Sequence, residues 1–451
     1  MGRSNTSKRG PLPAPRVIAS ETTMTDFSGI VPLIRFMGDI LDIPQRLVSI
    51  AGKGDRRRLF AIHLVLYAFL VGSLTGVHRL AHLEWLRGDP VLLKYLRLPR
   101  WPVRKVFSNA LASVSDRGIR LLTQLICDVG LAPLVGRDSA VVDIDSSAIV
   151  TYGLQQGARF GYSGKGRNRR RHHPLVASVA ETRTVVHADY RDGSGIAASE
   201  AIAFADRAIA AVRNVLATGA RVVLRADSGF WSNAMGGHLL EAAVPFIFAM
   251  PLRPALKLML QVTRWRGLDG DPDIQVTTLG GQRLSLDPRL RIVAIRRRVH
   301  DEKAPPQGKR IAGCTRWRYQ ALITNMDGVA EDLWRFYNGR SDCERVFKVA
   351  RGALGMGRLV GQKLRANETA FLLRMLAFNA DRRFHFHAEQ RAHTEGREVL
   401  RMGLIARQRR FYRAAGRFLR AKSRWELRVK DGNPALQRAW DFYAPELVAT
   451  G

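Results

Sequence analysis

The chain has 451 residues, enough for two to four domains and at least one sizeable core. Its apolar and charged fractions are ordinary for a globular protein, but 72 Lys and Arg face 39 Asp and Glu, giving a formal charge of +33. A surface so biased repels itself and attracts a polyanion, nucleic acid being the commonest; Arg-rich codon usage is the competing explanation, weakened because the acids are not similarly raised. Cys127, Cys314 and Cys343 stand far apart without a C-x-x-C pair, which excludes a disulfide framework and a zinc module and fits a reducing compartment.

In chain order, residues 1–55 read as a flexible basic lead, and Met1 to Pro15 lacks the apolar core of a secretory signal. Phe60 to Val77 is about as long as a membrane span, yet His63 and its small and polar residues favour a buried helix. Residues 56–130 follow a helical period. The stretch after Pro99 predicts two short helices in a basic setting, equally compatible with a DNA-contacting helix-turn-helix and with ordinary bundle packing.

The period then changes. Ser139 to Asp145, Leu175 to Ala180 and Thr184 to Tyr190 predict an antiparallel meander of three strands. A helix over Ala197 to Ala217, a strand over Arg221 to Arg225, a helix over Asn233 to Glu241 and a strand over Pro245 to Met250 follow. That order predicts an α/β protein with an RNase-H-like core. Residues 251–320 break the rhythm with short strand-like runs and read as a β-rich insertion. Helical character returns at Val329 and largely persists. The resulting division is a lead (1–55), an N-terminal helical, DNA-binding region (56–130), a catalytic core in two parts (131–250 and 321–385), the insertion (251–320) and a basic C-terminal helical region (386–451). Within the last, residues 401–430 hold eleven Lys or Arg against Glu426 alone, which favours a DNA-facing arm over a solvated helical face.

Three carboxylates stand out. Asp145 ends the first core strand and Asp227 ends the later one, so a rigid sheet would hold both at the edge of a cleft. Each could instead cap a turn or helix. Asp143 shares a strand face with Asp145 and competes for the same role. Glu344 lies in a helical stretch where Tyr337, Arg340, Glu344 and Lys348 fall within about 80° of one another, with Arg351 on the same stripe. A solvated, ion-paired face is the alternative there. Together the three acids suit two-cation phosphodiester chemistry, since Mg²⁺ takes oxygen ligands from a few carboxylates and the phosphate itself. Mn²⁺ would substitute. The pair His172-His173 in a basic loop reads as a DNA-contacting or structural feature rather than a ligand set.

At this point the chain resembles a known family. Tyr337 to Glu344 looks like the Y-(2)-R-(3)-E signature of bacterial insertion-sequence DDE transposases. The D-S-S after the first strand and D-S-G-F after the later one are similar to that superfamily's two aspartate motifs. GYSGKGRNRRRHHPLVASVAETR most resembles the thirteen-eighty branch of the insertion-sequence-four superfamily. The likeness covers roughly residues 60–385. It implies Asp145, Asp227 and Glu344 as a metal-binding catalytic triad. It also implies Mg²⁺ dependence, binding to terminal inverted repeats and target DNA, a dimer on paired ends, and DNA-backbone contacts from Tyr337 and Arg340. Two positions depart: Arg351 stands where the signature carries Lys, with Lys348 able to substitute on the same face, and Ser147 stands where many relatives have Thr. In related enzymes an aromatic of the insertion stacks on a flipped base; Trp265 and Trp317 are candidates, with core packing as the alternative.

Basic tracts at Lys165, Arg167, Arg169, Arg170 and Arg171, and at Arg296 to Arg298, would add phosphate contacts without sequence specificity. These observations lead to a cut-and-paste DNA transposase in a bacterial cytoplasm, associated with the nucleoid and needing no membrane. A catalytically silent DNA-binding regulator and a structure-selective nuclease on the same core are the alternatives.

Overall fold

The computed structural model describes residues 23–52, 59–163, 168–268, 270–299, 317–396, 402–421 and 424–429, with side chains described except at 341–345, 421, 424, 425 and 429. Lys165, Arg167, Cys314 and residues 1–22 and 53–55 of the lead therefore lie outside the described residues, whereas the helices Val31–Asp39 and Ile43–Ala51 of the stretch read as a flexible lead bury Leu33, Met37, Leu47 and Ile50 in the core.

A nine-stranded sheet organises the molecule. In chain order its strands are β1 (Ser139–Ser146), β2 (Leu175–Val179), β3 (Thr184–Asp189), β4 (Arg221–Ala226), β5 (Phe246–Met250), β6 (Arg266–Leu268), β7 (Asp271–Gly280), β8 (Arg291–Arg298) and β9 (Trp317–Thr324). They lie in the order β6-β7-β8-β9-β5-β4-β1-β2-β3. β1 pairs antiparallel with β2 and parallel with β4, and β4 is parallel to β5. This is the RNase-H-like arrangement, with an antiparallel meander on one side and parallel strands on the other. β9 pairs antiparallel with β5, so the strands of the 251–320 stretch prolong the core sheet rather than forming a separate one.

Alternation gives the sheet two chemically distinct faces. Ala140, Val142, Ile144, Leu224 and Ala226 are fully buried against the helices Ala198–Arg213 and Asn233–Glu241. Asp143, Asp145 and Arg225 occupy the opposite face. Three further helices matter below: α1 (Ala330–Asn338), α2 (Ser341–Ala353) and α3 (Leu364–Thr394). Residues of α1 pack on the extension strands through Leu333, Trp334 and Tyr337, and α2 packs against β1 and β2.

The long α3 is the axis of a helical body. Ile62–Leu74, Arg104–Ala112 and Asp116–Leu131 all pack on it. The apolar stretch after Phe60 is thus a buried 13-residue helix, and among the described residues no helix is long and apolar enough to cross a membrane. Asp116–Leu131 starts under a Ser115 cap, whose hydroxyl accepts from Gly118 N at 3.1 Å. Its stripe of Leu122, Leu125, Ile126 and Val129 enters the core. The two helices after Pro99 are therefore packed as a bundle. The body closes over the β3 edge through Asn379, whose side chain accepts from Val185 N at 2.8 Å and donates to Val185 O at 2.6 Å. Gly130 is required at this seam: a Cβ there would lie 2.1 Å from Val185 O.

Three features depart from the sequence expectation. Pro254–Val262 is a helix inside the stretch read as β-rich. The basic loop after β1 is a small antiparallel sheet of Ile149–Val150, Arg159–Tyr162 and Asn168–His172. The C-terminal region, read as helical, contains a hairpin, Gly416–Ala421 with Arg424–Val429, that pairs with Met24–Thr25. Phe418 fixes that hairpin by burying against Val31 and Val91, a long-range contact invisible in a local period.

Candidate active site and nucleic-acid interface

The cross-strand register brings two of the three carboxylates together. Ile144 of β1 pairs with Ala226 of β4 in parallel, so Asp145 and Asp227 each stand one residue further, on adjacent strands about 4.8 Å apart. Both line a cleft of about 770 Å³ at the carboxyl ends of these strands. A backbone amide orients each: Ser146 N donates to Asp145 Oδ1 at 2.8 Å, and Gly229 N donates to Asp227 Oδ1 at 2.9 Å. Asp145 is nearly buried and Asp227 half-exposed.

Asp143 has a different task. Arg225 grips it in two parallel bonds, Nε to Oδ1 at 2.7 Å and Nη2 to Oδ2 at 2.8 Å, with both residues buried. The third nitrogen of Arg225 faces α1. Its Nη1 donates to Phe336 O at 2.5 Å while the guanidinium lies 5.0 Å from the Phe336 ring.

That contact decides the shape of the next element. In a continuous helix Phe336 O would accept from Arg340 N. Here Arg225 occupies Phe336 O, and Arg340 N turns to Tyr337 O at 2.9 Å. The helix breaks at Gly339 and Arg340, so the stripe expected on one helix is divided between α1 and α2. Gly339 fits because a Cβ would lie 2.9 Å from Arg225 Nη1.

The break sets the surroundings of Asp145. Arg340 is buried, and its Nη2 lies 3.1 Å from Asp145 Oδ1. Arg340 thus neutralises a carboxylate while also lining the cleft. Tyr337 lines the cleft from its buried position in the α1 packing. Glu344 falls in the first turn of α2, immediately after Arg340; its side chain lies outside the described residues.

Asp145 also borders a second depression of about 530 Å³ with Ser146, Ser147, Lys348 and Arg351. Lys348 is exposed there. Arg351 is engaged: it donates to Ser147 Oγ, and to Ala148 O at 2.9 Å. Both bonds come from Nη2, and they tie α2 to the end of β1.

The other nominated residues separate. Trp317 sits on the far face of the extension, half-buried, with Arg296 4.4 Å and Arg298 5.5 Å from its ring. Trp265 stacks on the other side of Arg296 at 4.6 Å. Neither tryptophan lines the cleft. Arg171 is buried under Gly161, with its guanidinium disfavoured by desolvation and by Arg191. Arg169 and Arg170 are half-exposed on the small sheet.

Of the cleft's own cations, Arg297 belongs to the Arg296 to Arg298 tract named from the sequence, whereas Arg318 went unnoticed. Arg297 and Arg318 are exposed, lie opposite each other on β8 and β9, and line the cleft with the aspartates. Strict alternation along RIVAIRRR separates Arg297 from Arg296 and Arg298, and was the available signal.

His172 and His173 are structural. His172 is fully buried between Tyr190 Oη at 2.6 Å and Gln156 O at 3.0 Å. His173 Nε2 contacts Ser146 Oγ at 3.0 Å. Burial, and secondly Arg171, push its pKa down to about 4.

The family model for "Transposase DDE domain group 1" matches residues 55–442. The chain belongs to that family. No curated protein sequence matches it. A solved structure with similarity is the piggyBac transposase synaptic complex with hairpin DNA. It is 12% identical, with a TM-score of 0.45 over 86% of this chain and 79% of that one.

DDE transposases use divalent metal ions, and the donor set here suits such an ion: two carboxylates side by side at a strand-end cleft are hard oxygen ligands. Among the described residues no group of three or more His, Cys, Asp or Glu is clustered closely enough to hold a metal. A third ligand would come from outside the described side chains.

Proposed function

We propose that this chain is a cut-and-paste DNA transposase of the bacterial insertion-sequence-four type, thirteen-eighty branch. In this reading Asp145, Asp227 and Glu344 hold two Mg²⁺ ions, for which Mn²⁺ substitutes. The observation that carries it is the register: Asp145 and Asp227 leave adjacent parallel strands one residue beyond the Ile144–Ala226 pair and face one cleft. Such a cation pair supplies charge neutralisation at the scissile phosphate and an activated water or 3′-hydroxyl.

The chain's own residues do the rest. The Ser146 and Gly229 amides fix the carboxylates before DNA arrives. Arg340 orients Asp145 and offsets its charge. Arg297 and Arg318, at the cleft wall, bind phosphates flanking the cut, and Lys348 and Arg351 continue the basic path past Asp145. Tyr337 supports the cleft floor, and Arg169 and Arg170 reach DNA beyond it. The substrates are terminal inverted repeats and target DNA in the cytoplasm, at the nucleoid, with two copies on paired ends. The division into lead, helical region, split core, insertion and basic C-terminal region (1–55, 56–130, 131–250, 251–320, 321–385, 386–451) belongs to the same reading.

The test is cleavage of DNA carrying the gene's flanking inverted repeats, in Mg²⁺, with products resolved by strand. Asp227→Asn should abolish nicking and joining, a loss of at least about a thousandfold, while binding of the same DNA persists. Cleavage surviving that change would sink the assignment. Binding without cleavage by the unaltered chain would favour a silent regulator.

A further inference from the structure

The small sheet after β1 carries aromatic side chains where a basic loop alone would need none. Tyr152 is 90% exposed, Phe160 68% and Tyr162 63%. Phe160 and Tyr162 are two residues apart on one strand and so share a face. Arg170 lies directly opposite Phe160, its guanidinium 5.1 Å from that ring. Arg169, the next residue along the strand, is half-exposed on the opposite face, across from Gly161. Open aromatic faces this extensive on a soluble surface mark a contact rather than chance.

The platform is rigidly mounted. His172 anchors its inner strand through Tyr190 and Gln156. Arg159 is ion-paired to Asp192 at 2.8 Å, and Gly193 N donates to Gly157 O at 2.9 Å. Gln156 accepts from Leu364 N at 3.1 Å, joining the turn to α3. The base is therefore held by two separate parts of the chain, residues 190–193 and α3, while among the described residues the outer face is open. Its first strand begins at Ile149, two residues beyond Ser147 at the rim of the Asp145 depression.

We infer that this face, Phe160 and Tyr162 with Arg170, together with Tyr152 exposed on the segment just beyond Ile149–Val150, is a stacking platform for unpaired bases of DNA beside the cleavage site. The occupant is argued from two features. Arg170 and the net charge of +33 complement a polyanion. Open rings on a rigid β-surface gain most from bases whose own faces are unstacked, and such stacking tolerates any sequence. A fully paired duplex offers phosphates to Arg170 but hides its base faces. The inference rests on the reading of the chain as a DNA-acting enzyme and adds which strand state this surface selects.

The test uses the full chain in EDTA, so that no cleavage occurs. A fluorescent duplex is titrated either blunt or with an unpaired tail carrying 2-aminopurine, whose emission falls on stacking. The combined variant Tyr152→Ser, Phe160→Ser, Tyr162→Ser should weaken tailed-duplex binding at least about tenfold, abolish the 2-aminopurine quench, and change blunt-duplex binding less than about threefold. Arg170→Gln should weaken both probes together. Equal loss on both probes from the aromatic variant, or a retained quench, would overturn the inference. So would unchanged binding with altered self-association, which would assign the face to a second copy. Because all three aromatics are exposed, folding is checked simply by an unchanged melting temperature. Should Asp227-dependent cleavage hold while the quench survives the substitutions, this inference alone fails; should the unaltered chain bind neither probe, the functional reading fails with it.

Discussion

Two aspartates separated by one residue do opposite work, and their neighbours explain why. Asp143 faces Arg225 across β1 and β4, where burial makes a partnered charge tolerable and an orphaned one costly. Asp145 stands one pleat further, where the sheet ends and the cleft begins. Breaking the pair should therefore be a stability event. Arg225→Met is expected to cost about 3–5 kcal/mol, because it removes the bidentate guanidinium from a buried carboxylate. Asp143→Leu combined with Arg225→Met should recover much of that loss. Urea unfolding of the three proteins checks this; a single variant as stable as the parent would show that the pair contributes nothing. His173 offers a second residue-scale expectation. Its folded pKa is lowered to about 4 from the ordinary 6.5, so the unfolded chain binds a proton that the folded chain refuses. The resulting stability is fully present above about pH 6.5 and lost as pH falls toward 4, on the order of 1–2 kcal/mol by pH 5. His173→Gln should flatten the fall in unfolding midpoint between pH 7 and pH 5, and an unchanged slope would assign it to other groups.

The break between α1 and α2 shows how one long-range contact overrides a local period. The run from Ala330 to Ala353 reads as one helix except at Asn338-Gly339, a turn-forming pair, and at Ser341 and Asp342, which favour caps. The deciding atom belongs to β4: Arg225 Nη1 takes the carbonyl that would have continued the ladder. Gly339→Ala should cost about 1–3 kcal/mol, since its methyl would press on that guanidinium. Gly237→Ala, in a helix with nothing within 4 Å of the added carbon, should instead stabilise by about 0.5–1 kcal/mol. Thermal melts of both variants test the contrast, and equal shifts would remove Arg225 as the cause of the break. The same logic marks what was legible beforehand. The buried strands β1, β4 and β5 announce themselves through β-branched runs and end within a residue of the expected positions, which suffices to place Asp145 and Asp227. The division of labour between Asp143 and Asp145 was not legible, because it depends on a partner 82 positions away. The small sheet after β1 and the C-terminal hairpin escaped because their arginines mask any alternation, and because Phe418 and His172 are fixed by distant elements.

At the scale of the molecule, the sheet extension converts a core with one exposed edge into a wall for the cleft. β9 adds to β5, and β8 then presents Arg297 opposite Arg318. Like charges directly opposite on neighbouring strands destabilise a sheet, and among the described residues neither arginine has a carboxylate partner within reach. Among the described residues nothing offsets the repulsion of this pair, whereas a phosphate between them would. The net charge of +33 makes the same argument globally. DNA affinity should fall steeply with salt, by about 0.9 decade per decade of salt for each phosphate neutralised. Arg297→Gln with Arg318→Gln should lower that slope by about 2 while leaving the melting temperature unchanged or slightly raised. The measurement is affinity for duplex DNA across a salt series in EDTA, beside a melt of the same two proteins. A lower melting temperature with an unaltered slope would make the two arginines structural, and the wall of the cleft would then need another phosphate contact.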